Sequence, residues 1–356
     1  MKNVICAWCK TNETDFESII PLTFIGERNQ KLGYTNDFHV LFFEGYHNLN
    51  SEYKDSLLSL GYHLHDVFSL YSELAQKYHH LDQFGDYEKK CFLRWPIINT
   101  LFPGEGIIHY DGDIVLNQDA TSIAQMVTGK TFVLQGCPAF TVINNDDWFK
   151  QYKQQLELFV QDIKKYSQEA WNQHTGWEVT FKTRWAGSRF RKIISSDQDL
   201  ISHLIHTGQL IQDPIEDVLM QFQDYILCEN PLFFHFYDEN FPYHYVRENG
   251  VDYFLCERQD AEKCFYKKRV LFWHLQSCFN FYLAKFIFRQ RFLRFLPLSR
   301  LPLNLAPRGW EDFINKRLGH YLKHTTRLSV YKYFFERTDF SSVLRDLVWW
   351  KRGVFK

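Results

Sequence analysis

The sequence lacks any long uninterrupted apolar run. Nowhere do about eighteen uncharged apolar residues follow one another, so no helix is predicted to span a bilayer. The apolar stretch within Met1–Ile5 is too short for a secretory signal. Eight cysteines among 356 residues are too few for a disulfide scaffold. These absences predict a cytoplasmic protein in a reducing compartment, either soluble or bound to the inner face of a membrane.

Closely spaced cysteines are also scarce. Cys6 and Cys9 form the one close pair, and no second pair is present to complete a zinc ribbon. Two interpretations of this pair stay open: a thioredoxin-like redox motif, or the end of a buried first strand. The other cysteines are scattered among apolar neighbours, where buried free thiols are expected.

Apolar and aromatic side chains are abundant. Hydrophobic residues make up 45% and aromatic residues 18% of the chain, enough for one large domain and an appendage. Charge is unevenly distributed, because residues 263–356 contain 20 Lys or Arg against 5 Asp or Glu, while the whole chain carries −1. The sequence therefore predicts an acidic body followed by a basic, aromatic tail.

Predicted strands and helices alternate through the first 115 residues. Such alternation is typical of an α/β protein whose mostly parallel sheet is flanked by helices. The predicted strands are Asn3–Cys9, His39–Phe43, Tyr62–Phe68, Gly106–Tyr110 and Thr131–Leu134. The predicted helices are Asp15–Gly26, Ser51–Leu60, Tyr87–Leu101, Asp146–Lys165 and Asp197–His206. Ligands of such sheets bind beyond the carboxyl ends of strands, where Asp111-Gly112-Asp113 follows the fourth strand.

Asp111 and Asp113 have the chemistry of a metal-diphosphate site. A hard divalent cation prefers carboxylate oxygens and neutralises the charge that develops on a departing diphosphate. An ordinary surface turn is the alternative, because Asp-Gly is common in turns. Phosphatases of the haloacid dehalogenase kind also use two aspartates in this spacing, but near their first strand. The position of this pair in the middle of the sequence counts against that class.

The segments Tyr87–Pro96 and Gly106–Leu116 together resemble GT-A glycosyltransferases, in particular family 8 and related bacterial capsule and lipopolysaccharide transferases. In those proteins a helix with an arginine precedes an apolar strand that ends in the two aspartates. The resemblance implies a GT-A catalytic domain over residues 1–280 and a helical basic extension over 281–356. It also implies that Arg94 faces the diphosphate or the donor sugar, with a helix-surface arginine as the alternative.

A second match is the segment Ser195–Ile201, which is similar to the Asp-Gln-Asp element of those families. The resemblance implies catalytic or sugar-binding roles for Asp197, Gln198 and Asp199. Capping is the alternative, because Ser196 suits a helix N-cap and acidic residues suit a helix N-terminus. No Asn follows where family 8 has one, and His203 stands near that place, so the stereochemical outcome stays open.

The resemblance also implies a late histidine as a third ligand of Mn²⁺ or Mg²⁺. His274, after an apolar strand near the end of the domain, fits better than His235, although either can be a core residue. Lys268 is a candidate phosphate contact or part of a solvated basic run. By analogy, Ala7 and Trp8 at the end of the first strand border the nucleotide pocket, with a core role as the alternative.

The expected partners are a nucleotide-sugar donor and a glycan or lipid-linked acceptor. The segment Tyr166–Arg191 is predicted to be an irregular acceptor-binding loop, and the basic tail is predicted to contact an anionic membrane surface. Docking of the tail on the acidic body or on another subunit stays open. No nucleic-acid-binding module is recognisable. Two other functions stay open: a nucleotidyltransferase on a related sheet, and a non-catalytic binding protein with a basic tail.

Overall fold

The chain folds into an α/β domain. A computed structural model describes residues 1–7, 21–49, 51–112, 114–134, 138–173, 194–214, 225–229, 243–249, 251–257 and 265–274. Position 280, the predicted domain boundary, and the basic tail lie outside these residues. In the part of the chain that is described, no helix is long and apolar enough to cross a membrane.

A six-stranded sheet forms the centre of the domain, with the strand order β3-β2-β1-β4-β7-β6. Strands β1 to β4 pair in parallel, whereas β7 runs antiparallel to both of its neighbours. The strands are β1 (Lys2–Ala7), β2 (Phe38–Phe42), β3 (His63–Asp66), β4 (Ile107–Tyr110), β6 (Phe132–Val133) and β7 (Phe140–Ile143). The predicted α/β class, with a mixed and mostly parallel sheet flanked by helices, is confirmed.

The described helices connect these strands and cover the sheet. They are α1 (Pro21–Lys31), α2 (Ser51–Leu60), α3 (Phe68–Lys77), α4 (Asp86–Leu101), α5 (Ala120–Met126), α6 (Asp146–Gln161), α7 (Ile163–Gln173) and α8 (Asp197–His206). Helices α2 and α8 have the predicted bounds. Ser196 is the N-cap of α8, and its side chain accepts from the Asp199 N–H at 3.4 Å, so the predicted cap is confirmed.

Helix α4 is central to the core and contains Pro96 in its interior. A proline has no N–H, so the carbonyl of Phe92, one turn earlier, loses its helical donor. Tyr152 of α6 replaces that donor, because its hydroxyl donates to the Phe92 carbonyl at 3.0 Å. Trp95 is fully buried beside Trp148 of α6, with ring centroids 5.1 Å apart. Aromatic packing and one side-chain hydrogen bond therefore join α4 to α6.

A second sheet has the order β5-β11-β10-β9, with β8 also paired to β11. Its strands are β5 (Ile114–Leu116), β8 (Tyr225–Glu229), β9 (Tyr243–Glu248), β10 (Val251–Glu257) and β11 (Phe265–His274). Strand β5 begins directly after the acidic segment and pairs with the end of β11, where Ile114 faces His274. The rings of Phe140 and Phe272, 4.7 Å apart, join the two sheets.

Several predicted boundaries were wrong. The predicted strand Tyr62–Phe68 is too long, because β3 spans His63–Asp66 and Phe68 begins α3. Helix α1 continues through Gly26, since a side chain there would meet Tyr62 Cε2 at 2.9 Å and glycine permits this close packing. The predicted helix Asp146–Lys165 is two helices, because Asp162 leaves the helical conformation and its side chain accepts from the Lys165 N–H at 2.9 Å. Residues 166–173 of the predicted irregular loop belong to α7, and residues 174–191 lie outside the described part.

Candidate active site

The strand order reverses at β1 and β4. From β1 the chain adds β2 and β3 on one side, and then β4 on the other. Ligands of open α/β sheets bind beyond the carboxyl ends of strands at such a switch point. Ala7 is the last residue of β1 and is fully buried, and Asp111 directly follows β4. Trp8 lies outside the described residues.

Asp111 is held in a tight turn between β4 and β5, which we call the acidic turn. Its N–H donates to the Ala139 carbonyl at 2.8 Å, and its own carbonyl accepts from the Ile114 N–H at 3.1 Å. Its side chain is 30% exposed and faces Arg94, whose Nη1 donates to Oδ1 at 2.9 Å. The structure thus places Arg94 beside Asp111, while Asp113 lies outside the described residues.

Arg94 is a buried bridge between two carboxylates. Its side chain is 6% exposed, and besides Asp111 it contacts Asp197 of α8, with Nε donating to Oδ2 at 2.9 Å and Nη2 at 2.7 Å from the same oxygen. Trp95 donates to that oxygen through Nε1 at 3.0 Å. These contacts exclude the alternative of a solvated helix-surface arginine. They join α4, α8 and the turn after β4.

Asp197 accepts two hydrogen bonds, forms an ion pair with Arg94, and has almost no contact with solvent. It is 2% exposed, and burial raises its pKa, while the Arg94 charge and the hydrogen bonds from Trp95 and Arg94 lower it. The two hydrogen bonds and the Arg94 charge favour the ionised form of this carboxylate. The geometry gives Asp197 the chemistry of an anchor for Arg94.

Asp199 and Gln198 complete the first turn of α8. Asp199 is 2% exposed, and its Oδ2 accepts from the Ser195 N–H at 3.0 Å and from the Ser195 hydroxyl at 2.9 Å. Its other oxygen, Oδ1, has no hydrogen-bond partner among the described residues. Gln198 lies between the two buried aspartates and is half-buried. His203, which stands near the place of the family asparagine, is buried against the Tyr166 ring.

His109 is a site neighbour that the sequence analysis missed. It is fully buried in β4, its Nδ1 lies 3.0 Å from the Pro138 carbonyl, and its Nε2 lies 4.0 Å from Asp111 Oδ1. Burial, reinforced by the Arg94 charge, lowers its pKa to about 3. A neutral His109 therefore donates from Nδ1 to Pro138 and turns an unprotonated nitrogen toward Asp111. No sequence signal separates this histidine from an ordinary strand residue.

Helix α4 directs Tyr87, Cys91 and Arg94 to one side, because their spacing of four and three residues places them on the same helical face. Tyr87 is 57% exposed and hydrogen-bonds to the buried Cys91 thiol. Cys6 of β1 is also buried near these groups, and burial raises its pKa to about 12. Neither Cys6 nor Cys91 forms a disulfide. Cys9, the partner in the predicted pair, lies outside the described residues.

Strand β11 contains two predicted site residues, His274 and Lys268, and only one of them lies near the acidic turn. The backbone of His274 lies opposite Ile114, next to the acidic turn, although its side chain lies outside the described part. Lys268 lies opposite Phe254, six residues before His274. At about 3.3 Å per strand residue, that is roughly 20 Å along the strand. The backbone thus brings His274, and not Lys268, to the acidic turn, and His235 lies outside the described residues.

The residues that fit a divalent cation are described in part. Asp111 offers a partly exposed carboxylate at a strand end, a ligand type that Mn²⁺ and Mg²⁺ prefer. No group of three His, Cys, Asp or Glu side chains converges within the described residues, which include neither Asp113 nor the His274 side chain. The predicted ligand set therefore stays a prediction.

Comparison of the chain with protein-family models, curated proteins and solved structures gives no match. The residues themselves therefore carry the functional argument: a carboxylate at a switch point, a buried arginine that bridges it to α8, and a neutral histidine beneath it.

Proposed function

We propose that this chain is a metal-dependent glycosyltransferase with a GT-A type domain, which transfers a sugar from a nucleotide-sugar donor to a hydroxyl of a glycan or glycolipid. The supporting observation is the bridge from Asp111 through Arg94 to Asp197. These residues come from the separate segments that carry the resemblance. The residues of one functional site must lie close together, as these three do at the switch point, whereas three unrelated surface residues need not.

In this proposal Mn²⁺ or Mg²⁺ supplies neutralisation of the diphosphate leaving group. Asp111, Asp113 and His274 would hold the ion. Asp111 is already oriented by Arg94 and by its two backbone hydrogen bonds, so little reorganisation is needed on binding. His109 stays neutral because it is buried, and it therefore adds no positive charge beside a cation.

In this proposal the three residues in the first turn of α8 have different roles. Asp197 acts as a positioning residue through Arg94, because the oxygen that faces Arg94 and Trp95 already accepts two hydrogen bonds and forms the ion pair with Arg94. Gln198 offers an amide to the sugar hydroxyls. Asp199 has one oxygen without a hydrogen-bond partner among the described residues, and is the candidate acceptor of the proton from the attacking hydroxyl.

The reaction breaks the bond between the anomeric carbon and the diphosphate oxygen and forms a bond from that carbon to the acceptor oxygen. The acceptor hydroxyl loses its proton, and the nucleoside diphosphate leaves. An acceptor on a lipid carrier matches the basic tail over residues 281–356, which we propose contacts an anionic membrane surface.

The test is thermal unfolding of the full chain with nucleoside diphosphates and sugar nucleotides, each with and without Mn²⁺, since a ligand that binds the native state raises the Tm. We expect a metal-dependent rise with one nucleotide, and its loss in Asp113→Ala and Asp111→Asn. Asp146→Asn removes an exposed carboxylate elsewhere and serves as the matched control.

The products then identify the reaction. A glycosyltransferase releases a nucleoside diphosphate when an acceptor glycan is added, whereas a nucleotidyltransferase consumes a nucleoside triphosphate and a sugar phosphate and releases pyrophosphate. No Tm shift with any ligand, from well-folded protein, would instead support a non-catalytic binding protein.

A further inference from the structure

Arg28 of α1 reaches the strand that follows the acidic turn. It is 5% exposed, its Nη1 donates to the Leu116 carbonyl, and its Nη2 donates to Asn117 Oδ1 at 2.5 Å. Leu116 is the last residue of β5, so the buried Arg28 guanidinium binds the backbone at the end of this short strand. A buried guanidinium needs hydrogen-bond acceptors, and the oxygens of Leu116 and Asn117 supply two of them here.

Tyr34 extends this contact to β11. Its hydroxyl donates to the Asn117 carbonyl at 2.8 Å and accepts from Arg269 Nη2 at 2.6 Å. Burial raises the pKa of Tyr34, and the charges of Arg269 and Arg28 lower it. The Asn117 N–H also donates to the Leu271 carbonyl at 2.9 Å. We call Arg28, Tyr34, Asn117 and Arg269 the β5 clamp.

The β5 clamp lies at one end of β5, and the acidic turn lies at the other. Within the described residues, three residue pairs join β5 to β11, with Phe272 opposite Leu116 and His274 opposite Ile114. Slippage by one residue would turn every side chain of the slipped strand to the opposite face. Because all three residues of β5 are apolar and buried, burial does not distinguish its two faces, and the ladder alone specifies its register weakly. Side-chain contacts at Arg269 and backbone contacts at Leu271 fix the same strand pair from outside the ladder.

We propose that the β5 clamp sets the position of residue 274 beside the acidic turn, and that Tyr34 is a positioning residue for the divalent-cation site. This inference rests on the proposed function. Tyr34 touches neither Asp111 nor the residue opposite Ile114 in the contacts described above. It acts by joining the strand that follows the turn to the strand that ends at His274.

The experiment compares Tyr34→Phe with Tyr62→Phe in the full chain. Each substitution removes one hydroxyl that donates to a backbone carbonyl, since Tyr62 donates to the Leu22 carbonyl in the first turn of α1 at 2.8 Å and forms no hydrogen bond to β5 or β11 among the described residues. Mn²⁺ affinity is measured by calorimetry in the presence of the nucleotide that wild type binds. We expect Tyr34→Phe to weaken Mn²⁺ binding by up to about tenfold, the lower end of the effect of losing a direct outer-shell partner, because Tyr34 acts through the strand pair and contacts no ligand itself.

Tyr62→Phe should keep wild-type Mn²⁺ affinity, and nucleotide binding without metal should be the same in all three proteins. Arg269→Lys keeps the positive charge but loses the planar guanidinium, so it should also weaken Mn²⁺ binding. It provides a second variant if Tyr34→Phe folds poorly. Equal Mn²⁺ affinity in wild type, Tyr34→Phe and Arg269→Lys would overturn the positioning role alone. Absence of metal-dependent nucleotide binding in wild type would overturn the proposed function, and this role with it.

Discussion

Arg94 and Asp197 lie 103 positions apart in the sequence, and the Nε and Nη2 atoms of Arg94 contact the same Asp197 oxygen at 2.9 and 2.7 Å. Both side chains are buried, at 6% and 3% exposure. Charge-assisted hydrogen bonds of this kind fix orientation as well as contributing energy. The pair holds α8 against α4 and at the same time fixes the guanidinium that faces Asp111.

Removal of either partner should destabilise the fold strongly. Arg94→Met leaves the Asp197 carboxylate buried without its cation. Asp197→Asn removes one of the two carboxylates that contact Arg94, and Asp111 is the one that remains. Breaking a buried ion pair from one side typically costs about 3–5 kcal/mol. Urea unfolding should show a loss of this order for each single variant, and a smaller loss for the double variant than the sum of the two.

An exposed ion pair gives the comparison. Lys77 and Glu157 lie 3.0 Å apart at 53% and 42% exposure, and Lys77→Met should change the free energy of unfolding by no more than about 1 kcal/mol. Strictly additive losses in the Arg94 and Asp197 variants would contradict the coupling that the geometry implies.

Stability should fall on acidification because of the histidines on β2 and β3. His39 Nδ1 lies 2.9 Å from His65 Nε2, and the His63 ring stacks on His39 with centroids 4.8 Å apart. Burial first, and then His65, His63 and Lys2, lower the pKa of His39 to about 4 against the opposing effect of Asp37. Burial and His63 also lower the pKa of His65.

The sign follows from proton uptake. The unfolded chain has a histidine pKa of about 6.5, so between that value and about 4 it binds more protons than the native state, and stability decreases as pH falls. Urea midpoints at pH 7 and pH 4.5 should therefore differ less in His39→Gln than in wild type. His80→Gln, at an exposed histidine, should leave the difference unchanged. An unaltered pH dependence in His39→Gln would remove the cluster as its source.

Local signals predicted much of the fold. Helices α2 and α8 have the predicted bounds because periodic apolar positions and, in α8, the Ser196 cap lie within the segment itself. The predicted end of α1 at Gly26 was wrong, because the glycine serves close packing against Tyr62 and does not end the helix. Tyr62 lies 36 positions away and is not visible in a local window. Strand β5 was missed because it has only three residues, and its partner lies about 160 positions later.

For the candidate site too, some residues could be predicted from the sequence and others could not. Arg94, Asp111 and Asp197 were recognised because each stands in a segment with a family resemblance, and the structure brings them together. His109 and the β5 clamp were missed because their roles depend on burial and on long-range pairing. Arg28 and Leu116, for example, lie 88 positions apart. Spacing in the sequence carries no signal for such contacts.

The thiols of Cys6 and Cys91 should resist alkylation in the native protein. Both are free and buried, and burial raises the pKa of Cys6 to about 12 and that of Cys91 well above its usual value. Because only the thiolate reacts, iodoacetamide at pH 8 should leave both unlabelled by peptide mass mapping, and should label both in urea. Labelling of Cys6 in the folded protein would instead favour the redox interpretation of its close pair with Cys9.

Tyr152 and Pro96 should be coupled through the Phe92 carbonyl, which accepts from Tyr152 at 3.0 Å because Pro96 has no N–H to offer. Tyr152→Phe leaves a buried carbonyl without a donor, at a cost of about 1–3 kcal/mol. Pro96→Ala restores a helical N–H, so Tyr152→Phe should cost less in that background than in wild type when both pairs are unfolded in urea. Tyr62→Phe, which affects the Leu22 carbonyl instead, should cost the same in both backgrounds. An equal cost of Tyr152→Phe with and without Pro96 would show that the hydroxyl does not substitute for the missing backbone donor.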